Sequence, residues 1–232
     1  MTELNDFPCL GEGACAHDTP AHSRGGAWGG HVAFAQWLIE RTRPGRVVEL
    51  GVYTGCSFFA FCHASKKLGL NTELIGVDTW KGDPQSGMYG ENVWEIVKNI
   101  APQYPAARLA RMTFDVAFAA MRTHLAPIDI LHIDGFHEYA AVKHDFDTWS
   151  PVVGPNGVIL LHDTQVGWGT FGVYKLRDEL IAGGQFDVFE FKHSFGLGVV
   201  RRKGSNVLPE LFGAGAARAD DIRKYFESGA PR

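Results

Sequence analysis

The sequence has little net charge and no long apolar segment. It carries 22 Lys and Arg against 26 Asp and Glu, for a net charge of −4, so it lacks the basic surplus that attracts nucleic acid. No stretch approaches the roughly 18 consecutive apolar residues of a membrane-spanning helix. The first residues, Met1 to Phe7, are acidic and not apolar, so no secretory signal is expected. We therefore expect a cytoplasmic protein that binds neither nucleic acid nor a membrane.

Cysteine is also scarce, and its spacing lacks the common metal and redox motifs. The four cysteines, Cys9, Cys15, Cys56 and Cys62, form no C-x-x-C pair. Cys9 and Cys15 lie in a Gly-rich leader that could hold a disulfide or a metal. Cys56 and Cys62 lie six residues apart on one predicted helix and point to different faces. We expect four reduced thiols, as in most cytosolic proteins.

The apolar residues recur in a pattern that predicts one α/β domain. With 232 residues and 45% hydrophobic content, the chain can bury a single substantial core. We assign the domain to residues 27–204, preceded by an irregular leader or flap over 1–26 and followed by a C-terminal tail with short helices over 205–232. The predicted strands cover residues 46–50, 74–78, 108–112, 128–133, 158–161, 186–192 and 197–201.

Helices are predicted between the first five strands, and a hairpin closes the domain. This alternation predicts a doubly wound, mostly parallel seven-stranded sheet with helices on both faces and an antiparallel final strand. Asp115 is predicted to cap the helix after the third strand. Tyr139 and Trp149 are predicted on the inner, core-facing side of the helix after the fourth strand. Such sheets bind ligands at the carboxyl ends of their strands.

Two glycines frame the turn after the first strand. Gly51 and Gly55 stand four residues apart, which lets a ligand approach the backbone closely. The G-x-G-x-x-G motif of dinucleotide-binding proteins would need a glycine where Tyr53 stands, so this turn is poorly suited to binding a pyrophosphate. Asp78 ends the second strand, where a carboxylate can accept two hydrogen bonds from the vicinal hydroxyls of a ribose. These features favour a nucleoside-containing ligand.

Acidic and imidazole side chains follow the fourth and fifth strands. Asp134 and Asp163 end these two neighbouring strands, so both carboxylates can face one cavity, with His137 and His162 nearby. Oxygen-rich clusters of this kind bind Mg²⁺. Histidine is a softer ligand and shifts the preference of the site toward Mn²⁺, Fe²⁺ or Zn²⁺. His132, inside the fourth strand, is interpreted as a core histidine.

The order of these motifs resembles class I S-adenosylmethionine (SAM)-dependent methyltransferases. Residues 49–55 are similar to the family's E-x-G-x-x-x-G motif, and residues 132–139 with His162-Asp163 resemble its H-I-D-G-x-H-x-Y...H-D pattern. That pattern is typical of relatives of catechol O-methyltransferases and of metal-dependent sugar and macrolide O-methyltransferases. The resemblance covers residues 46–165. It implies a set of SAM-binding residues, namely Glu49, Gly51, Tyr53, Gly55, Ser57, Asp78, Thr113, Phe114 and Asp134.

The resemblance also implies a reaction, the methylation of a hydroxyl of a small molecule such as a sugar or a glycosylated metabolite. His137 takes the role of base, since an imidazole with a pKa near 6.5 suits proton transfer near neutral pH. A divalent metal held by Asp134, His162 and Asp163 would orient the acceptor hydroxyl. A metal-free site with His137 alone, an oxygenase resembling cephalosporin hydroxylases, and a non-catalytic nucleoside-binding module stay open. The sequence also leaves open whether the chain forms a homo-oligomer.

Overall fold

A computed structural model describes residues 21–23, 26–123, 127–212 and 219–228 of the chain. The strands are β1 (Arg46–Leu50), β2 (Glu73–Asp78), β3 (Gly82–Asp83), β4 (Gly87–Met88), β5 (Ala107–Arg111), β6 (Ile128–Ile133), β7 (Val153–His162), β8 (Phe186–Phe191) and β9 (Leu197–Arg202). The α-helices are α1 (Val32–Thr42), α2 (Cys56–Lys67), α3 (Glu91–Ile100), α4 (Phe114–Met121), α5 (Tyr139–Trp149), α6 (Val173–Gly183) and α7 (Ala219–Ser228).

Seven of these strands form one sheet in the order β5-β2-β1-β6-β7-β9-β8. The five strands from β5 to β7 are parallel, and β9 runs antiparallel to both β7 and β8. The predicted doubly wound, mostly parallel seven-stranded sheet with an antiparallel final strand is confirmed. The strand order reverses between β1 and β6, so their carboxyl ends frame the crevice where such sheets bind ligands.

Helices cover both faces of the sheet because successive strand residues point to opposite sides. Val47 of β1 belongs to an apolar cluster with α1, α2, α3 and α7, whereas the adjacent Val48 belongs to a cluster with α4, α5 and α6. Both valines are fully buried. This two-sided burial is why the strands read as continuous apolar runs in the sequence.

Two local predictions about helix positions are wrong. The side chain that caps α4 belongs to Thr113, which accepts a hydrogen bond from the Val116 N–H, because the helix begins at Phe114 and Asp115 already lies in its first turn. Tyr139 is 37% exposed, since its hydroxyl extends outward and donates to Glu179 at 2.6 Å. Trp149 is fully buried, as predicted.

The segment after residue 204 contributes to the same core as the domain. Leu208, Leu211 and Phe226 join the apolar cluster around α1. Cys56 and Cys62 lie on α2 and are not bonded to each other, whereas Cys9 and Cys15 lie outside the described residues. None of the described helices is long and apolar enough to cross a membrane.

Candidate active site

A cavity of about 590 Å³ opens at the carboxyl ends of β1, β2, β6 and β7. This volume lies in the range of about 300 to 1,000 Å³ that small-molecule sites occupy. The lining includes most of the residues predicted to bind SAM, and also His22, Trp28 and Tyr89. Of these last three, only Trp28 was assigned no role from the sequence, because its segment lacks a motif. The predicted site residues that line the cavity are Gly51, Tyr53, Ser57, Asp78, Thr113, Phe114, Asp134, His137, His162 and Asp163.

The turn after β1 depends on both of its glycines. Gly51 has φ +94°, and a Cβ there would lie 2.0 Å from the Asp134 carbonyl oxygen. Gly55 has φ +87°, and a Cβ there would lie 2.5 Å from the ring of Phe59. Gly51 therefore allows the turn to close onto the end of β6, and Gly55 allows α2 to begin directly behind it. Gly55 itself does not line the cavity.

The carboxylate of Asp78 organises the backbone around the cavity. Its Oδ2 accepts hydrogen bonds from the Val52 and Tyr53 N–H groups, both at 2.9 Å, and its Oδ1 accepts one from the Trp80 N–H at 2.7 Å. Carboxylate oxygens have further lone pairs, so ribose hydroxyls can still bind. The ribose-binding role stays a prediction, and the turn-shaping role is an addition to it.

Glu49 lies behind the cavity in a buried polar network. Its carboxylate accepts a hydrogen bond from the Ser57 hydroxyl at 2.7 Å and lies 3.2 Å from His132 Nδ1. Trp28 Nε1 donates to His132 Nε2 at 3.1 Å, which leaves Nδ1 of a neutral ring as a donor toward Glu49. Burial raises the pKa of Glu49 above its ordinary value. Ser57 lines the cavity, whereas Glu49 has no exposed surface.

Thr113 and Phe114 line the cavity on the side of β2 and β5. The ring of Phe114 packs on Gly135, where a Cβ would lie 2.5 Å from the ring. An apolar face and a hydroxyl are therefore available to an adenine at this position, although the Thr113 hydroxyl also caps α4. The adenine contacts stay a prediction.

Two acids and two histidines meet at the ends of β6 and β7. His137 Nε2 lies 3.2 Å from Asp134 Oδ1 and 3.0 Å from Asp163 Oδ2. His162 Nδ1 lies 3.3 Å from Asp134 Oδ1 and 3.3 Å from Asp163 Oδ1. Asp163 has φ +60°, an uncommon backbone conformation that is often found at functional sites. The four side chains that we predicted to act together therefore form one cluster.

The carboxylates dominate the electrostatics of this cluster. Burial by itself would lower the pKa of His137, but its hydrogen bonds to Asp134 and Asp163 raise that pKa to about 9. Burial acts on His162 in the same direction, and Asp134 and Asp163 raise its pKa to about 10. The histidines in turn hold the pKa of Asp134 well below its usual range despite burial. The cluster thus stabilises positive charge between the two carboxylates.

The geometry of His162 fits a cation at this place. Its Nε2 lies 3.2 Å from the Ser194 carbonyl oxygen, and a carbonyl can only accept, so Nε2 carries the hydrogen. In the neutral ring the lone pair of Nδ1 then faces the carboxylates. One ligand atom from each of Asp134, His162 and Asp163 lies within 4.8 Å of the others. An imidazole held through its other nitrogen is the usual arrangement of a metal ligand.

A short segment between β2 and α3 roofs the cavity. Residues 79–90 contain the two-stranded β3–β4 hairpin, and Asp83 and Tyr89 of this segment line the cavity. The Gln85 side chain accepts a hydrogen bond from the His137 N–H at 3.0 Å and donates one to the Thr170 hydroxyl at 2.8 Å. Gln85 thus connects the roof to the reaction cluster. Sequence reasoning missed it, because a glutamine in a polar loop gives no signal.

Comparison with known proteins shows the family of this chain. Residues 48–164 match the family described as methyltransferase domain. The chain belongs to this methyltransferase family. A curated protein of Sinorhizobium fredii (strain NBRC 101917 / NGR234), the uncharacterized protein y4gI, is 41% identical over 172 residues, which are 74% of this chain and 19% of that protein. The chain thus spans only a small part of that relative.

Solved O-methyltransferases have the same fold at low identity. NovP matches with a TM-score of 0.60 and 14% identity over 75% of this chain and 79% of its own. TomG from Streptomyces achromogenes, solved with SAM, matches with a TM-score of 0.58 and 15% identity over 84% of this chain and 90% of its own. An O-methyltransferase from Bacillus cereus, solved with S-adenosylhomocysteine (SAH), matches with a TM-score of 0.56 and 13% identity over 88% of this chain and 93% of its own. These matches establish a Rossmann-like methyltransferase fold, while the narrower relationship to catechol and sugar O-methyltransferases stays a prediction.

Proposed function

We propose that this chain transfers a methyl group from SAM to a hydroxyl of a small molecule, such as a sugar or a glycosylated metabolite. The observation that supports this most is that one cavity joins two kinds of surface. Asp78 and Phe114 lie on one part of its lining, and Asp134, His137 and Asp163 lie on another. A donor bound along the first part would bring its reactive group beside the second.

In this proposal, those of the predicted SAM-binding residues that line the cavity contact SAM directly. Glu49 and Gly55, which do not line the cavity, act from behind by holding Ser57 and the start of α2. The SAM sulfonium supplies the methyl group, so the chain needs no covalent intermediate. The contribution of the protein is then to align the acceptor oxygen with the methyl group and to exclude water.

His137 is the proposed base. The acceptor hydroxyl would lose its proton to Nε2 of the neutral ring, which lies within hydrogen-bond distance of Asp134 and Asp163. Because these carboxylates raise the pKa of His137 to about 9, and not to the near-neutral value expected from an isolated imidazole, the neutral ring becomes available as the pH rises toward 9. The two carboxylates stabilise the imidazolium that results. Asp134, His162 and Asp163 are also the proposed ligands of a divalent metal, which would polarise the acceptor hydroxyl. Because one ligand is a histidine, we expect Mn²⁺, Fe²⁺ or Zn²⁺ to bind at least as well as Mg²⁺.

Calorimetry with SAM and SAH tests the first part of the proposal. Binding of SAM and SAH should persist in EDTA, because Asp134 is the one proposed SAM-binding residue that is also a proposed metal ligand. Addition of Mg²⁺, Mn²⁺, Fe²⁺ or Zn²⁺ to the SAH-bound protein then measures the metal site separately. Absence of SAM and SAH binding under every condition would overturn the proposal.

Substitution of His137 tests the proposed base. His137→Asn should lower turnover by about 100-fold or more, in keeping with the usual contribution of a general base, and should leave SAH affinity unchanged. The matched control is His144→Asn, since His144 is an exposed histidine on α5 that pairs with Asp115. Turnover of His137→Asn equal to that of the control would show that His137 is not the base.

One observation favours a second candidate, a metal-dependent oxygenase resembling cephalosporin hydroxylases. Two carboxylates and an imidazole form a donor set that suits iron as well as other divalent metals. Such an enzyme would consume oxygen, whereas a methyltransferase works without it. Acceptor methylation under anaerobic conditions therefore separates the two. A non-catalytic module would instead bind SAH and methylate no acceptor.

A further inference from the structure

Beside the reaction cluster lies an array of aromatic rings that the chemistry described above does not use. It consists of Phe171 and Trp168, from the loop between β7 and α6, and Phe195, from the turn between β8 and β9. Trp168 is 60% exposed and Phe195 is 46% exposed, which is unusual for large apolar side chains. We call these three rings the aromatic surface.

The aromatic surface is continuous with the proposed base. The ring of Phe171 is stacked on the imidazole of His137, with 5.1 Å between centroids and an interplanar angle of 14°. The next contacts are Phe171 to Trp168 at 6.3 Å and Trp168 to Phe195 at 6.1 Å. The rings therefore lead stepwise from the His137 imidazole, which lines the cavity, to the exposed side chains of Trp168 and Phe195.

The backbone holds these rings in place. The Gly172 N–H donates to the His137 carbonyl at 2.7 Å, which fixes the end of the Phe171 loop against the cluster. The Gln165 N–H donates to the Phe195 carbonyl at 2.8 Å, which joins the two loops. Ser194 and Phe195 have φ of +48° and +65°. Two consecutive non-glycine residues in this conformation cost about 1 to 3 kcal/mol each, and such strain is concentrated at functional sites.

We infer that the aromatic surface binds an aromatic ring of the acceptor, joined to the part that carries the reacting hydroxyl. This inference rests on the proposed function. Trp168 is two ring contacts away from His137, so a group that reaches it lies beyond the hydroxyl-bearing part. Residues 164–171 carry no charged side chain, so this loop recognises its ligand by stacking and not by charge. An acceptor of this kind is an aryl glycoside.

The test uses pairs of glycosides that share one sugar and differ in the aglycone, p-nitrophenyl against methyl. Their binding to SAH-saturated protein is measured by calorimetry and by saturation-transfer NMR. We expect the aryl member to bind more tightly, and Trp168→Ala to weaken it roughly tenfold, the loss expected for a stacked aromatic contact of about 1.4 kcal/mol. Trp168→Phe should retain most of the affinity. The control is Ile181→Ala, which should have no effect, because Ile181 is an exposed apolar residue on α6 outside the aromatic surface.

The outcomes separate this inference from the proposed function. If SAH does not bind the wild-type chain, the proposed function fails. If SAH binds and no aryl glycoside is preferred over its methyl partner, the aromatic surface is not an acceptor site. A change in oligomeric state of Trp168→Ala by light scattering, without loss of aryl binding, would likewise overturn the inference and assign the surface to contact with a second copy of the chain.

Discussion

Replacement of Gly51 by alanine should disturb both the stability of the domain and the candidate site. An alanine there must adopt φ +94°, at a cost of about 1 to 3 kcal/mol. Its Cβ would also lie 2.0 Å from the Asp134 carbonyl oxygen, and relief of such a contact in a packed interior costs about 1 to 3 kcal/mol more. We therefore expect Gly51→Ala to lower the free energy of unfolding by about 2 to 6 kcal/mol.

Gly69 offers a matched control, because it has φ +61° and a Cβ added there would meet no neighbouring atom within 4 Å. Gly69→Ala should therefore cost only the backbone strain, about 1 to 2 kcal/mol. Urea denaturation of the two variants measures the difference. Relief of the contact at Gly51 must also move the Asp134–Gly135 peptide, so SAH affinity should fall in Gly51→Ala and not in Gly69→Ala. Equal costs in urea would refute the reasoning from close approach.

A buried acid and the roof of the cavity allow two further predictions. Burial raises the pKa of Asp145 to about 7, so the folded chain retains a proton that the unfolded chain releases near pH 4, and folding stability falls as the pH rises between these values. Asp145→Asn should remove this loss and gain up to about 4 kcal/mol over wild type at pH 8 but little at pH 4, as measured by urea denaturation at both values. A gain independent of pH would contradict this assignment. Gln85→Leu removes both hydrogen bonds of the Gln85 side chain, to His137 and Thr170, and should speed SAH release in stopped-flow measurements by roughly tenfold or more, since two such hydrogen bonds together contribute about 1 to 3 kcal/mol. Thr170→Val should have a smaller effect, and its addition to Gln85→Leu should change nothing further; an additive double variant would show that the two side chains act independently.

Much of the candidate site could be predicted because strand ends are readable in a sequence. Asp78, Asp134 and Asp163 each follow a buried apolar run, and the topology of a parallel sheet brings such positions to one edge. The same reasoning predicted the proximity of His137 to two carboxylates. It did not show that the Glu49 side chain would be fully buried, where it accepts a hydrogen bond from the Ser57 hydroxyl and does not line the cavity.

Contacts between segments that lie far apart in the chain could not be predicted in this way. Gln85 reaches the His137 backbone across 52 residues, and Trp28 reaches His132 across 104. Neither pair has a shared motif or a periodic spacing, because loop positions depend on the packing of the elements that carry them. The wrong cap of α4 has a different cause, because only the first residue of the helix was misplaced. Predicted helix boundaries commonly shift by one or two residues, and the cap is Thr113.

The sequence by itself determined the class of fold, the polar residues that follow each parallel strand, and the turn framed by two glycines. These features follow from apolar periodicity and backbone sterics, which are local properties of the chain. Only the tertiary structure decided which polar groups meet: the insertion of β9 beside β7, the three N–H groups held by Asp78, and the ring of Phe171 against His137. These contacts arise when separate elements pack on one sheet, because their energies depend on distances that no single segment specifies.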